Sequence, residues 1–320
     1  MKKIQSLAML FLMAMLVLVG CGTGDSKPTT NDTEQNKTAK GKDSAAAQFP
    51  VTVTDSLGRE IALEKQPERI ISLAPSNTEI LFGLGLNEEI VGVSDNDTFP
   101  EQATTKEKVG GMEFNLELIA SLKPDIVFAH ESGMYNFEKG MEQLEAMGIA
   151  VFVVKNTVNF EETYETMKQI GQLTGKVAQA DEMVATMQKD IEEMTTKAVG
   201  LDGKSAFIVV GTNPDLYAVG TGTFINEMLH TVGVKNSVTQ PGWLQYSAEQ
   251  FVSDNPEVIL VTYEDDIEAI LSNPAYAEMD AVKSGNVHLI DADTTSRQGP
   301  RIVEGIQSIA QTMYPEVFGE

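Results

Sequence analysis

The 320-residue chain is poor in thiols, imidazoles, indoles and positive charge. Its one cysteine, Cys21, leaves no pair for an intramolecular disulfide, so the fold must stand on packing alone. The three histidines, His130, His230 and His288, are far apart in sequence. That argues against a dedicated zinc cage, which needs clustered nitrogen and sulfur ligands. Only 23 Lys and Arg oppose 47 Asp and Glu, a net charge of −24. Such a surface repels phosphate backbones and does not lie flat on anionic lipid, so nucleic acid is excluded as a partner. Catalytic signatures also fail. Gly203-Lys204-Ser205 ends like a P-loop, but Ala198 stands where its first glycine belongs. His130-Glu131 opens a zincin pattern whose second histidine would fall on Met134. There is no G-x-S-x-G elbow, and nothing pairs two acids for glycoside hydrolysis.

What is present begins at the start of the chain. Lys2 and Lys3 precede an unbroken apolar run over residues 7–19. The run is too short for a stable membrane span and suits the h-region of an export signal. Leu18-Val19-Gly20-Cys21 then sets a small residue directly before the thiol. This resembles the lipobox of bacterial lipoproteins. It implies that residues 1–20 are a signal peptide and that Cys21 becomes a lipid-bearing first residue outside the cytoplasmic membrane. Residues 21–48 hold hardly a large apolar side chain and cannot order themselves by burial. They read as a flexible leash with a reach of roughly 30 Å.

From Phe49 the pattern is that of an α/β protein. Short apolar runs at 69–73, 90–94, 126–129 and 149–154 read as strands of a mostly parallel sheet, separated by helical stretches. Ser76 and Glu79 spell a capping box, which starts a helix at Asn77. Helices are also expected over 116–122 and 138–147. Then the rhythm breaks. Val177, Ala180, Val184, Met187, Ile191 and Met194 recur at helical spacing along 176–199, about 36 Å of helix. That is longer than a crossover in one small sheet requires, and it suits a strut joining two lobes. A second strand–helix set follows, with strands at 206–210, 258–261 and 287–290 and a closing helix over 300–313. The expected organisation is an N-terminal lobe at 49–158, a linking helical segment at 159–200 and a C-terminal lobe at 201–320.

Two stretches repeat one another. Asn115, Glu117, Ile119, Ser121, Pro124 and Asp125 match Ser247, Glu249, Phe251, Ser253, Pro256 and Glu257, every pair being 132 residues apart. Each copy reads as a polar cap, an acid in the first turn, a short helix, a proline turn and a buried strand. Caps and dipoles explain the residue types but not the unbroken register. Two similarly built lobes do, and they put Glu117 and Glu249 at equivalent places. These acids are either simple first-turn carboxylates or a pair that docks a two-subunit partner carrying arginines.

Pro67-Glu68-Arg69 through Pro75-Ser76-Asn77-Thr78-Glu79 to Gly85, the stretch from Gly111 to Ala129, and Ser296-Arg297-Gln298-Gly299-Pro300-Arg301 resemble the helical-backbone class of ABC-transporter substrate-binding proteins. That family takes iron-siderophores, haem and cobalamin. The resemblance implies two Rossmann-like lobes joined by a long rigid α-helix, a ligand cleft between them and no catalysis. It also implies that Glu117 and Glu249 meet arginines of an ABC permease dimer whose ATPase is a separate cytoplasmic subunit. The wording is nearest to cobalamin binders, which makes a corrinoid the first ligand class and a ferric siderophore or haem the second. Trp243, the only tryptophan, falls where those members place an aromatic against the corrin. Asn96 stands in place of their tyrosine, and His130 and Gly111 stand near other expected aromatics. No protein cofactor is expected.

Sheet ends supply the remaining candidates, because open α/β sheets bind ligands beyond the carboxyl ends of their strands. His130, Asn96 and Tyr217 follow strands or turns, Trp243 follows Pro241-Gly242 in a loop, and Arg297 precedes the last helix. His130 could fill a metal's open position through a neutral imidazole, or be a plain loop histidine. Arg297 could clamp a carboxylate or phosphate, or form a structural ion pair. A ligand sensor for a membrane kinase and an anchored surface enzyme are the alternatives of a different class.

Overall fold

The computed structural model describes residues 49–319. The signal at 1–20, Cys21 and the leash at 21–48 lie outside the described residues.

The N-terminal lobe opens with an antiparallel hairpin of β1 (Val51–Thr54) and β2 (Glu60–Leu63). Its sheet comprises β3 (Ile70–Ser72), β4 (Ile90–Val93), β5 (Glu107–Lys108), β6 (Ile126–His130) and β7 (Ala150–Val154), in the order β5-β4-β3-β6-β7. Every pairing is parallel. Helices α1 (Pro75–Gly83), α2 (Leu116–Ser121) and α3 (Met134–Ala146) cross between strands. A parallel sheet is covered on both faces, which is why β3 is buried at all three positions.

Two helices then lead out of this lobe, α4 (Phe160–Thr174) and α5 (Val177–Ala198). Asn159 caps α4 by accepting from the Glu162 N–H at 2.8 Å. Gly175, at φ 74°, ends α4 in the left-handed conformation that glycine adopts without strain. The 22 residues of α5 span about 33 Å. Its buried stripe is Ala180, Val184, Met187, Ile191, Met194 and Ala198, the spacing of a helix with one apolar face.

The C-terminal lobe carries β8 (Ser205–Gly211), β9 (Leu216–Val219), β10 (Lys235–Asn236), β11 (Trp243–Tyr246), β12 (Val258–Val261) and β13 (Val287–Leu289). The order is β11-β9-β8-β12-β13, with β10 also on β8. Here the sheet is mixed, since β9 runs antiparallel to both β8 and β11. Its helices are α6 (Phe224–Thr231), α7 (Ala248–Asp254), α8 (Glu264–Ser272), α9 (Asp280–Lys283), α10 (Ala292–Ser296), α11 (Ile302–Met313) and α12 (Pro315–Phe318).

One apolar core runs through both lobes. It joins Ile80 and Phe152 of the first to Met167 of α4, Met187 of α5, and Phe224 and Ile306 of the second. Separate clusters cover the outer face of each sheet, around Phe137 and Ile119 in one lobe and Phe207 and Phe251 in the other. The strut is therefore embedded, not free-standing. Bending it would expose side chains such as Met187, at about 1.5–3 kcal/mol each. That is the physical basis for a rigid joint.

The repeat is also a structural one. Asn115 accepts from the Leu118 N–H at 3.0 Å, and Ser247 from the Gln250 N–H at 3.1 Å. The two non-glycine residues with positive φ among those described are Lys123 (49°) and Asn255 (37°), which are repeat partners. The acids that follow them cap the neighbouring strand. Asp125 accepts from the Glu68 and Arg69 N–H groups at 2.9 Å, and Glu257 from the Ser205 N–H at 2.6 Å.

Three expected helix starts shift. The Ser76–Glu79 capping box does not form: Ala74 is the N-cap, and Pro75 fixes the first turn one residue before Ser76. Helix α3 begins at Met134, four residues early, because a short turn over Glu131–Gly133 runs into it. The closing helix begins at Ile302, after a turn through Pro300 and Arg301.

Candidate functional site

A cleft of about 480 Å³ opens between the lobes. The N-terminal lobe contributes Ala74 and Ser76 after β3, His130 and Ser132 at the end of β6, and residues 156–158 after β7. All lie beyond the carboxyl ends of parallel strands, where such sheets leave a crevice. The C-terminal lobe meets them differently. Gly222, Thr223, Phe224, Gly242 and Trp243 come from the β9–β11 edge, and Ser296, Arg297 and Gln298 from the end of α10. On this side of the cleft Gly222 and Thr223 follow the carboxyl end of β9, a strand antiparallel to β8. The volume is in the range that buries a substantial ligand. A recess of about 250 Å³, lined by Gly111, Met112, Phe114 and Phe137, adjoins the cleft across Ala74, His130 and Ser132.

Trp243 is the first residue of β11, not part of a loop, and is 54% exposed although large and apolar. Its backbone is pinned. Gly220 N–H donates to Gly242 O at 2.8 Å, Thr221 N–H to Gln240 O at 2.9 Å, and Gly242 N–H to Thr221 O at 2.9 Å. Gly220 permits the approach, since a Cβ there would lie 1.9 Å from Gln240 O. Tyr217 lies opposite Gln245, and Trp243 opposite Val219. Directly opposed residues share a face, so Tyr217 is the diagonal neighbour of Trp243 and extends the same surface. It is 42% exposed and lies outside the walls of the cleft itself.

His130 faces the junction of cleft and recess. Its Nδ1 accepts the Ser132 backbone N–H at 3.3 Å and lies 2.8 Å from the Ser132 hydroxyl. Burial pushes its pKa down to about 4, against the opposing pull of Glu131, so the ring is neutral at pH 7. Asn96 is exposed beside Gly111 and lines neither cavity.

Arg297 lines the cleft, but its terminal nitrogens are committed. One donates to Glu79 at 2.9 Å, and the other is 2.7 Å from Asp293 and 3.2 Å from Thr98 Oγ1. Of the two roles open to Arg297, ligand clamp or structural ion pair, these contacts are those of the ion pair. Arg301 meets the same Glu79 carboxylate at 2.7 and 3.0 Å and stacks on Phe99 at 4.1 Å. Glu79, whose side chain is 1% exposed, thus ties α1 of one lobe to two arginines of the other. A further tie joins the C-terminal lobe to the linking segment: Glu227 of α6 accepts the Phe160 N–H at the start of α4 at 2.6 Å. Desolvation raises its pKa, opposed by that bond.

Among the described residues the cleft walls hold no carboxylate, phenol, thiol or thioether, and no cation besides Arg297. No group of three or more metal-binding side chains occurs among them either. Glu117 and Glu249 are exposed in the first turns of α2 and α7, outside the cleft. Sequence reasoning missed Ser76, Thr223, Phe224, Gln298 and residues 156–158 as walls. The strand-end rule could have found Ser76 after β3 and 156–158 after β7. Thr223, Phe224 and Gln298 depend on how the lobes meet.

Residues 70–294 match the periplasmic binding protein family. The chain belongs to that family. An uncharacterized ABC transporter substrate-binding lipoprotein of Bacillus subtilis, YvrC, is 38% identical over the full length of both chains. A vitamin B12-binding protein of Salmonella typhimurium is 32% identical over 60% of this chain and 71% of its own. A crystal structure of a possible iron-binding periplasmic solute-binding protein from Staphylococcus epidermidis matches with a TM-score of 0.73 and 36% identity, covering 78% of this chain and all of that one. This periplasmic binding protein is accordingly a substrate-binding component of an ABC transporter, and not an enzyme. Such a component works with a permease, an ATPase and a small-molecule ligand. No helix among the described residues is long and apolar enough to cross a membrane.

Proposed function

We propose that the protein is the lipid-anchored receptor of an ABC importer on the extracytoplasmic face of the cell membrane, and that it captures a corrinoid ligand. The carrying observation is the cross-lobe cleft, with half-exposed Trp243 on one wall and, among the described residues, no free cation on any. A rigid indole offers a macrocycle a wide face at small entropic loss. The absence of a free cation disfavours strongly anionic guests, and the net charge of −24 adds to that. The vitamin B12-binding relative supports the same class. Trp243 is the platform, Tyr217 its extension, and His130 a polar contact; Arg297 holds the wall without clamping, and Asn96 reaches only a ligand that overfills the recess. The lobes are assigned to 49–158 and 201–320, with 159–200 between them. Cys21 carries the anchor, as the lipoprotein relative suggests. Glu117 and Glu249 dock the permease. Exposed pairs contribute about 0–1 kcal/mol each, but they fix register and speed encounter.

A ferric-siderophore or haem receptor is the second reading, favoured by the possible iron-binding neighbour. Calorimetry of the protein without its lipid against cobalamin, cobinamide, haem and several ferric siderophores separates the two. Tight 1:1 binding of the corrinoids alone is the expected result; tight binding of haem or a siderophore alone would replace the proposal by the second reading. Reversing Glu117 and Glu249 to Lys should abolish reconstituted uptake while leaving binding intact, and unchanged uptake would remove their docking role.

A further inference from the structure

Resting on that receptor reading, we infer that the cleft selects ligands whose metal already has a complete coordination shell, and that His130 serves them as a hydrogen-bond donor through Nε2. The argument starts from one bond. A backbone N–H can only donate, so the Ser132 N–H at 3.3 Å requires a lone pair on His130 Nδ1. The Ser132 hydroxyl at 2.8 Å is free to turn its proton to the same nitrogen. In a neutral imidazole the proton then resides on Nε2. The ring nitrogen that Ser132 does not engage is therefore an N–H group, and it has no lone pair for a metal.

Nothing else in the cleft replaces that lone pair. Among the described residues the walls hold no carboxylate, phenolate, thiolate or thioether. Met112 stands in the adjoining recess, and Tyr217 lies beyond Trp243 on β11's neighbour. The polar groups that do line the walls are amides and hydroxyls, such as Asn156, Gln298, Ser76 and Ser296. They recognise amide, carbonyl or hydroxyl groups at the edge of a ligand. The site is thus built to read a periphery, and a guest with an open axial position gains no bond to its metal here.

Two measurements test this. Long-range proton–nitrogen NMR of the free protein reads the tautomer of each of the three histidines, with the His130→Gln variant identifying the signal. The Nε2–H form is expected, and an Nδ1–H form would overturn the inference. Binding is then compared for cyanocobalamin, whose axial sites are filled, and aquocobalamin, whose water an imidazole can displace with a shift of the visible bands. The expected result is affinities within about threefold and an unshifted bound spectrum. His130→Gln, which keeps an N–H near the place of Nε2, should bind nearly as well, and His130→Leu about tenfold more weakly. A shifted aquocobalamin spectrum, lost in both variants, would overturn the inference while leaving the receptor reading intact. Failure of both corrinoids, haem and ferric siderophores to bind would overturn the receptor reading and this inference with it.

Discussion

Removing the charge of Glu79 should loosen the joint between the lobes. In Glu79→Gln the volume is kept, but the carboxylate that accepts three bonds at 2.7–3.0 Å is lost. Arg297 retains Asp293, whereas Arg301 is left with the ring of Phe99, the neutral carbonyl of the new side chain and the more distant charges of Glu304 and Asp293. The Arg301 side chain is 14% exposed, so the orphaned charge is poorly hydrated. Breaking a buried pair costs about 3–5 kcal/mol; with Asp293 still in place the lower end, about 3 kcal/mol, is expected. At roughly 2 °C per kcal/mol for a chain of this size, Tm falls by about 6 °C. Differential scanning calorimetry in 0.05 and 1 M salt reads this directly. The drop should survive high salt, because a buried pair is poorly screened. Glu79→Met combined with Arg301→Met should recover most of the loss, since a buried pair exchanged for apolar groups is near neutral. A drop under about 1 kcal/mol, or one that vanishes in salt, would mean that the cluster behaves as a surface ion pair and does not hold the lobes.

Other substitutions probe the rest of the frame. Gly220→Ala should shift the β9–β11 edge, because the new Cβ would meet Gln240 O at 1.9 Å; ligand affinity should fall at least about tenfold, measured by calorimetry. Met187→Ala in the embedded strut should destabilise by about 2–5 kcal/mol in denaturant titrations. For His130 the folded pKa of about 4 lies below the ordinary 6.5. The unfolded chain therefore binds more protons between these values, and stability from this group is lost as pH falls from 6.5 toward 4. In His130→Gln that loss disappears, so the wild-type Tm should fall relative to the variant's as the pH drops through this window.

The buried face of α5 was legible because one helix with one apolar stripe writes its contacts at local spacing, and every buried position from Ala180 to Met194 was read. The repeat was legible for the same reason, since Asn115 and Ser247 bond residues three positions ahead. Glu79 was read as a capping residue, a local role, when its partners lie 218 and 222 residues away. No window of sequence contains both ends of that contact. The antiparallel pairing of β9 with β11 was not legible because the strands are four residues each, α6 and β10 separate them in the chain, and Pro241-Gly242 reads as a turn. Trp243 was nevertheless singled out, on composition and resemblance, while the direction of its strand had to come from the structure.

Because Trp243 is the sole indole, its fluorescence is a direct reporter of the cleft. Titration with cyanocobalamin should quench that emission saturably, at one equivalent per chain, as the absorbing macrocycle settles against the ring. An emission that stays constant while calorimetry records tight binding would put the guest elsewhere on the molecule and contradict the assignment of this cleft.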